Sequence, residues 1–175
     1  MAVNLNQFNH DAKKNQRRYR SFITRLGNSD HENGVLQTVN AASDEVWQNI
    51  DCLSCGNCCK TMTPTFTPAD KRRIAKHLGI SIPAFTAQYL THDPKVDQWS
   101  MRQQPCPFLN LGTNKFSIYA LRPADCSGFP HLVKTPLKRY MHIHKQNLAY
   151  CPAMLAFIQK LTDRIQFSNV APRNI

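Results

Sequence analysis

Asp51-Cys52-Leu53-Ser54-Cys55-Gly56-Asn57-Cys58-Cys59-Lys60 places four of the chain's seven cysteines within eight positions. Three of those sulfurs, on Cys52, Cys55 and Cys58, repeat as C-x2-C-x2-C. Thiolates at that interval turn toward one centre, and Gly56 lets the backbone curl around it. The stretch reads as a metal-binding loop, and the fold has to supply whatever the loop lacks.

Two kinds of site compete for these thiolates. In an iron-sulfur cluster the C-x2-C-x2-C run supplies three ligands and a remote cysteine the fourth. In bacterial ferredoxins that remote cysteine is followed by proline, as Cys106 and Cys151 are here. Zinc calls for four cysteines, or three and a histidine, from two separated knuckles, yet the second half of the chain offers only single cysteines. Spacing and ligand softness therefore favour iron-sulfur, of the 4Fe-4S kind, with zinc as the alternative. Cys58 and Cys59 read as an extended pair whose side chains point to opposite sides, which argues against both binding one mononuclear ion. Cys59 is then a buried apolar cysteine, or it joins a second centre with some of Cys106, Cys126 and Cys151, with His131 or Asp125 available to complete the set.

The rest of the composition sets bounds. At 175 residues, 42% hydrophobic and 9% aromatic, the chain has the material for one folded domain with a real core. Its formal charge of +11 suggests an anionic partner, with nucleic acid left open. Metal-bound thiolates reduce that figure, since an oxidised four-iron cube with four cysteines carries a net charge of about −2. No apolar run has the length of a membrane span and no apolar region follows the basic N-terminus, so the expectation is a cytoplasmic protein that uses no membrane. In a reducing compartment, an odd number of cysteines with four bunched together points to metal rather than disulfides.

Upstream of the loop, Leu5 to Leu26 is basic, with Lys13, Lys14, Arg17, Arg18, Arg20 and Arg25 among the apolar anchors Phe8, Tyr19, Phe22 and Ile23. It reads as a solvated helix whose aromatics dock on the body, or as an arm for nucleic acid or a partner protein. Gly27 to Asp30 forms a break and Asn33-Gly34 a turn. Val35, Leu36, Val39, Ala42, Val46, Trp47 and Ile50 then recur at helical steps, with Trp47 in the core. We divide the chain into a basic N-terminal segment, 1–30, and a cysteine-cluster metal-binding domain, 31–170.

Downstream, Thr61 to Phe66 is extended. Thr67 caps a helix that has Pro68 at its first position and Asp70 in its first turn, and Gly79 stops it. Ser81 opens a second helix, with Phe85, Tyr89 and Leu90. Residues 105–109 and 115–119 form a hairpin around a Gly/Asn turn, and Cys126 follows in a compact turn. His131 to Tyr150 is basic and irregular. The pair His142 and His144 would share a face on a strand and offer metal ligands, although surface histidines are the ordinary reading, as for His77 and His92. Cys151-Pro152 opens the last helix and places the Cys151 sulfur at its N-terminus.

The loop Cys52-Leu-Ser-Cys-Gly-Asn-Cys-Cys59 is followed by Cys106-Pro-Phe-Leu, by Ile118-Tyr-Ala-Leu-Arg-Pro-Ala-Asp-Cys126, by Gly-Phe-Pro130 and by Cys151-Pro152. This order resembles the YkgJ-type cysteine-cluster proteins, the C-x2-C-x2-CC zinc- or iron-chelating domain. The resemblance implies a compact domain holding an iron-sulfur cluster or zinc, similar to part of the flagellin lysine N-methylases. The family usually has a further cysteine where this chain has Phe116-Ser117, and an arginine where it has Ser127. The missing thiolate leaves an open coordination position, a lost second site, or a space filled by Phe116.

The expected fold is a small α-rich α+β domain, irregular and metal-stapled, with a few helices and one short hairpin. The expected site is an iron-sulfur cluster on Cys52, Cys55, Cys58 and either Cys126 or Cys151, with Arg122 bonding backbone carbonyls and offsetting charge. Electron transfer or metal handling fits such a site. The alternatives are a zinc-stabilised interaction module and an accessory to methyl- or group-transfer. No catalytic constellation is recognisable, so enzymatic activity stays open.

Overall fold

The structure, a computed structural model, describes residues 3–28, 32–134 and 136–166. It is mostly helical with one short antiparallel hairpin, as expected. It divides into two compact units, Met1–Asp51 with Pro130–Ile175, and Cys52–Phe129.

The first unit is built from α1 (Leu5–Gly27), α2 (Glu32–Asn49), α8 (Leu137–Asn147) and α9 (Pro152–Arg164). Asn4 caps α1 by accepting the Gln7 N–H at 3.0 Å. The four expected anchors Phe8, Tyr19, Phe22 and Ile23 are buried, so this basic segment is an integral helix. It packs on α8 and α9, and α2 packs on α9. Val39, Ala42 and Val46 from α2 and Met154, Phe157, Ile158 and Leu161 from α9 complete the core. Glu45 receives hydrogen bonds from Arg164 and Lys160, each at 2.8 Å, which hold its carboxyl at about 2.

Several local expectations are corrected in this unit. Asn33 and Gly34 lie inside α2, whose amphipathic face outweighs the turn preference of one dipeptide. Residues 29 and 30 of the expected break lie outside the described residues. Trp47 is 40% exposed, because α2 turns it away from the Val39, Ala42 and Val46 stripe. The segment read as irregular contains helix α8, whose buried Leu137, Met141 and His144 recur at three- and four-residue steps among the basic residues. A helix puts His142 and His144 about 160° apart, given 3.6 residues per turn, so the shared face expected of a strand is absent. His144 is buried and His142 is exposed.

The second unit runs through α3 (Cys52–Cys55), α4 (Asn57–Thr61), α5 (Pro68–His77), α6 (Ile82–Tyr89), β1 (Leu90–Asp93), β2 (Gln98–Met101), a 3-10 turn (Tyr119–Leu121) and α7 (Ala124–Gly128). Thr67 and Asp70 form a complete capping box at α5, and Gly79 sits past its end at φ +68°. The hairpin pairs Leu90 with Met101 and Asp93 with Gln98, upstream of the predicted place. At 105–119 only a single bridge forms, between Leu109 and Phe116. Pro105 and Pro107 have no N–H to give to a ladder, and Asn110 Oδ1 instead accepts the N–H groups of Gly112 and Thr113 at 3.0 Å.

The core of this unit is Phe66, Ile74, Phe85, Leu90, Met101, Phe108 and Ile118. The Phe85 ring packs at a tilt between Phe66, at 6.0 Å, and Tyr89, at 5.3 Å, and its burial contributes about 3 kcal/mol. The extended segment after the cysteine loop docks on β2, with Phe66 N donating to Trp99 O at 2.8 Å and Met101 N to Pro64 O at 2.9 Å. These bonds seat the cysteine loop on the core.

Candidate metal centre

The loop is two short helical turns joined at a glycine. Gly56 N donates to Cys52 O at 3.0 Å, closing α3. Gly56 itself adopts φ +58°, and a Cβ there would lie 3.2 Å from the Asn114 side-chain oxygen. Only glycine takes this conformation without cost. Asn114 also donates its Nδ2 to Ser54 O at 2.9 Å, so a residue distant in sequence clamps the loop. Its sole sequence signal was membership of a Gly/Asn turn.

Helical geometry changes the reading of the cysteine pair. Cys58 and Cys59 lie on α4, where neighbours are about 100° apart rather than opposed as in a strand. Their sulfurs stand 3.7 Å from each other. On α3, Cys52 and Cys55 share a face at an i, i+3 spacing, with Cys52 exposed and Cys55 half-buried.

Two remote segments reach the pair. Cys106 N donates to Cys59 O at 2.9 Å, and Cys106 also packs on the unit's hydrophobic core. Cys126 rides on α7, which is pinned at several points. Asp125 accepts the Thr65 N–H at 2.9 Å and the Thr65 hydroxyl at 3.1 Å. The Ala124 N–H donates to Asp70 at 3.2 Å. Arg73 pairs with Asp70 and donates to the carbonyls of Leu121 and Arg122. Arg122 donates to Tyr119 O at 3.0 Å and lies 4.2 Å over the Tyr119 ring. Sequence reasoning named Arg122 but missed Arg73, which nothing in its local pattern distinguishes from the other cations of α5.

The electrostatics tie four thiols together. The Cys59 sulfur, followed by burial, drives the Cys58 thiol far above its ordinary range. Burial raises Cys106, and Cys58 adds to it. Burial, the Asp125 carboxylate, Cys58 and Cys106 push Cys126 up to about 12. Cys58, Cys59, Cys106 and Cys126 are thus neighbours in a low-dielectric setting that keeps Cys58, Cys106 and Cys126 protonated until a cation replaces the protons.

The other candidates are placed differently. Cys151 belongs to the first unit, where it is buried as the N-cap of α9 and its sulfur accepts the Met154 N–H at 3.4 Å. His131 belongs there too, and its carbonyl accepts from His144 Nε2 at 2.8 Å. His92 is exposed beside Asp97, and His77 is exposed on α5. Phe116, where the family usually has a cysteine, is half-buried with its ring 5.7 Å from that of Tyr119.

Among the described residues no three His, Cys, Asp or Glu side chains are already gathered as a metal would hold them. The donor set nonetheless fits one. Sulfurs bound tetrahedrally at about 2.3 Å stand about 3.8 Å apart, which matches the 3.7 Å between the Cys58 and Cys59 sulfurs.

Fold and site together define a cysteine-cluster domain, α-rich, with four of its thiols close together. The chain belongs to the CxxCxxCC family, described as a "putative zinc- or iron-chelating domain", whose family model matches residues 51–152. Among curated proteins and among solved structures nothing matches the chain. No described helix is long and apolar enough to cross a membrane.

Proposed function

We propose that the protein is a metal-binding protein whose inner ligands are the thiolates of Cys58, Cys59, Cys106 and Cys126, holding a single zinc or iron ion tetrahedrally. The observation that carries this reading is the 3.7 Å separation of the Cys58 and Cys59 sulfurs, which is the edge of a tetrathiolate site. A four-iron cube takes one cysteine per iron and does not call for sulfurs that close. When bound, such an ion supplies structural cross-linking or, as iron, one-electron chemistry. The chain's own part is to deliver four thiolates from three segments. Asp70, Asp125 and Arg73 fix the last of these, while the Phe85 core keeps the Cys106 side dry. Metal handling and electron transfer in a reducing compartment are the roles that suit it.

A second reading keeps the iron-sulfur cluster on Cys52, Cys55 and Cys58, completed by Cys126. It is favoured by Gly56, whose positive φ turns the backbone between the two cysteine-bearing turns, and by the electrostatic proximity of Cys126 to Cys58.

One set of variants separates the two. Protein purified without oxygen is analysed for zinc, iron and acid-labile sulfide, alongside Cys52→Ser and Cys59→Ser. The tetrathiolate reading expects one metal per chain, no sulfide, loss of metal in C59S and retention in C52S. Labile sulfide with loss in C52S and retention in C59S would establish the cluster instead.

A further inference from the structure

Helix α1 lies outside the family match, and its surface is unexplained by a metal centre. It runs antiparallel to α8. Gly27 is so close to α8 that a Cβ there would meet the Met141 side chain at 2.6 Å. Two turns back, Arg20 donates to Lys145 O at 3.1 Å, and further back Asn9, Ala12, Lys13 and Gln16 border a shallow hollow with Leu148 and Ala149.

The two helices carry basic side chains at the same spacing. On α1, Lys13, Arg17 and Arg20 fall at i, i+4 and i+7, and all three are exposed. On α8, Lys138, His142 and Lys145 fall at the same steps, the first two exposed and Lys145 half-buried. On each helix this row adjoins the side facing the other helix and lies away from the buried stripe. That stripe is Phe8, Tyr19, Phe22 and Ile23 on α1, and Leu137, Met141 and His144 on α8. Because the helices are antiparallel and bury corresponding sides, the two rows stand next to each other on one outer face, about 8–10 Å apart as packed helix axes are. Lys14 and Arg139 widen it. The only acid on either helix is Asp11, which lies about 160° around α1 from Lys13 and accepts from Gln7.

We propose that this double row binds the phosphate backbone of double-stranded nucleic acid without reading its sequence. Two rows of cations free of acids match a continuous polyanion. The face has no exposed bulky apolar residue, the large exposed ones among the described residues of this unit being Trp47, Val133 and Tyr150. A membrane-surface helix needs an apolar side facing lipid, and here that side is turned into the core. An unpaired strand would want aromatic stacking platforms, and the face presents none. The bond from Arg20 to Lys145 O holds the rows together before any ligand arrives.

The test is fluorescence anisotropy of a labelled 20-base-pair duplex of arbitrary sequence, titrated with the full-length protein. Engagement of Lys13, Arg17, Arg20, Lys138 and Lys145 gives a log–log salt slope near −4.5, so affinity falls roughly 500-fold between 50 and 200 mM salt. The double variant R17Q with K138Q should bring the slope to about −2.7 and weaken binding at 50 mM at least tenfold. R72Q with K76Q, an equal charge loss in the second unit, should change neither. The single variants R17Q and K138Q sit on different helices and each should give about half the effect on the slope, so the result does not hang on one variant's folding. Absence of duplex binding at 50 mM salt overturns the proposal. So does equal weakening by R72Q with K76Q, or tighter binding to polyglutamate or to phosphatidylserine vesicles than to the duplex.

Discussion

Replacing Asp70 by Asn tests how the second unit is assembled. The residue is fully buried, and its carboxylate accepts from Thr67 N at 2.8 Å, Thr67 Oγ1 at 2.7 Å and Ala124 N at 3.2 Å while pairing with Arg73. Burial alone would raise its pKa, but the Thr67 bonds, the Ala124 amide and the Arg73 guanidinium outweigh that and hold it below the ordinary value. An amide keeps one acceptor oxygen and turns an NH2 group toward donors, so two of the four partners lose their bond. Hydrogen bonds to charged groups are worth about 1.5–3 kcal/mol each, but Arg73 is partly solvated and recovers water, so the expected loss is about 2–3 kcal/mol at pH 7. Urea unfolding of both proteins in the zinc-loaded state measures it. A carboxylate with a depressed folded pKa stabilises above its unfolded pKa of about 3.9 and loses that contribution as pH falls through the folded value. The gap between wild type and D70N should therefore narrow as pH is lowered below about 4. Because Asp70 also holds the first residue of α7, D70N should weaken zinc retention through Cys126. Equal stability at pH 7, or a gap that persists unchanged to pH 3, would refute this account.

Gly56→Ala forces an L side chain to φ +58° with 3.2 Å to the Asn114 oxygen; it should cost about 1–2 kcal/mol and speed metal loss to a chelator, measured by zinc release. The raised pKa values of Cys58, Cys106 and Cys126 mean that metal must displace protons, so zinc affinity should rise with pH across the neutral range, and proton release on binding is read by a pH indicator. In metal-free protein, exposed Cys52 should alkylate before Cys58 and Cys126, with peptide mapping as the readout. Burial lowers the pKa of His144, so the folded state resists its protonation. Stability should decline as pH drops below about 6.5, and His144→Gln should flatten that part of the stability–pH profile.

Much of the fold was legible because periodic apolar positions report burial and single capping residues report helix ends. Phe8, Tyr19, Phe22 and Ile23 announced the buried stripe of α1, and Thr67, Pro68 and Gly79 marked the ends of α5 through the chemistry of single residues. Misreadings arose where a local preference met a stronger neighbour. Asn33-Gly34 looked like a turn until α2 absorbed it, and the apolar triplet of α8 was hidden by its lysines and histidines. The hairpin moved upstream because Asn110 and two prolines removed the ladder from the segment that looked more strand-like. In the site, Arg73 and Asn114 were invisible because their partners lie 40 or more residues away.

A cysteine-cluster domain was readable from the residues alone, because thiolate spacing is a local property that survives without knowledge of the fold. It also located the loop, its glycine hinge and the remote segments that answer it. That Cys58 and Cys59 stand together rather than apart, with Cys106 and Cys126 as neighbours, emerged only once the chain was folded. The reason is that adjacent side chains diverge or converge according to backbone conformation. That conformation was settled by bonds from Asn114, Cys106 and the segment docked on β2, none of which a short window of sequence contains.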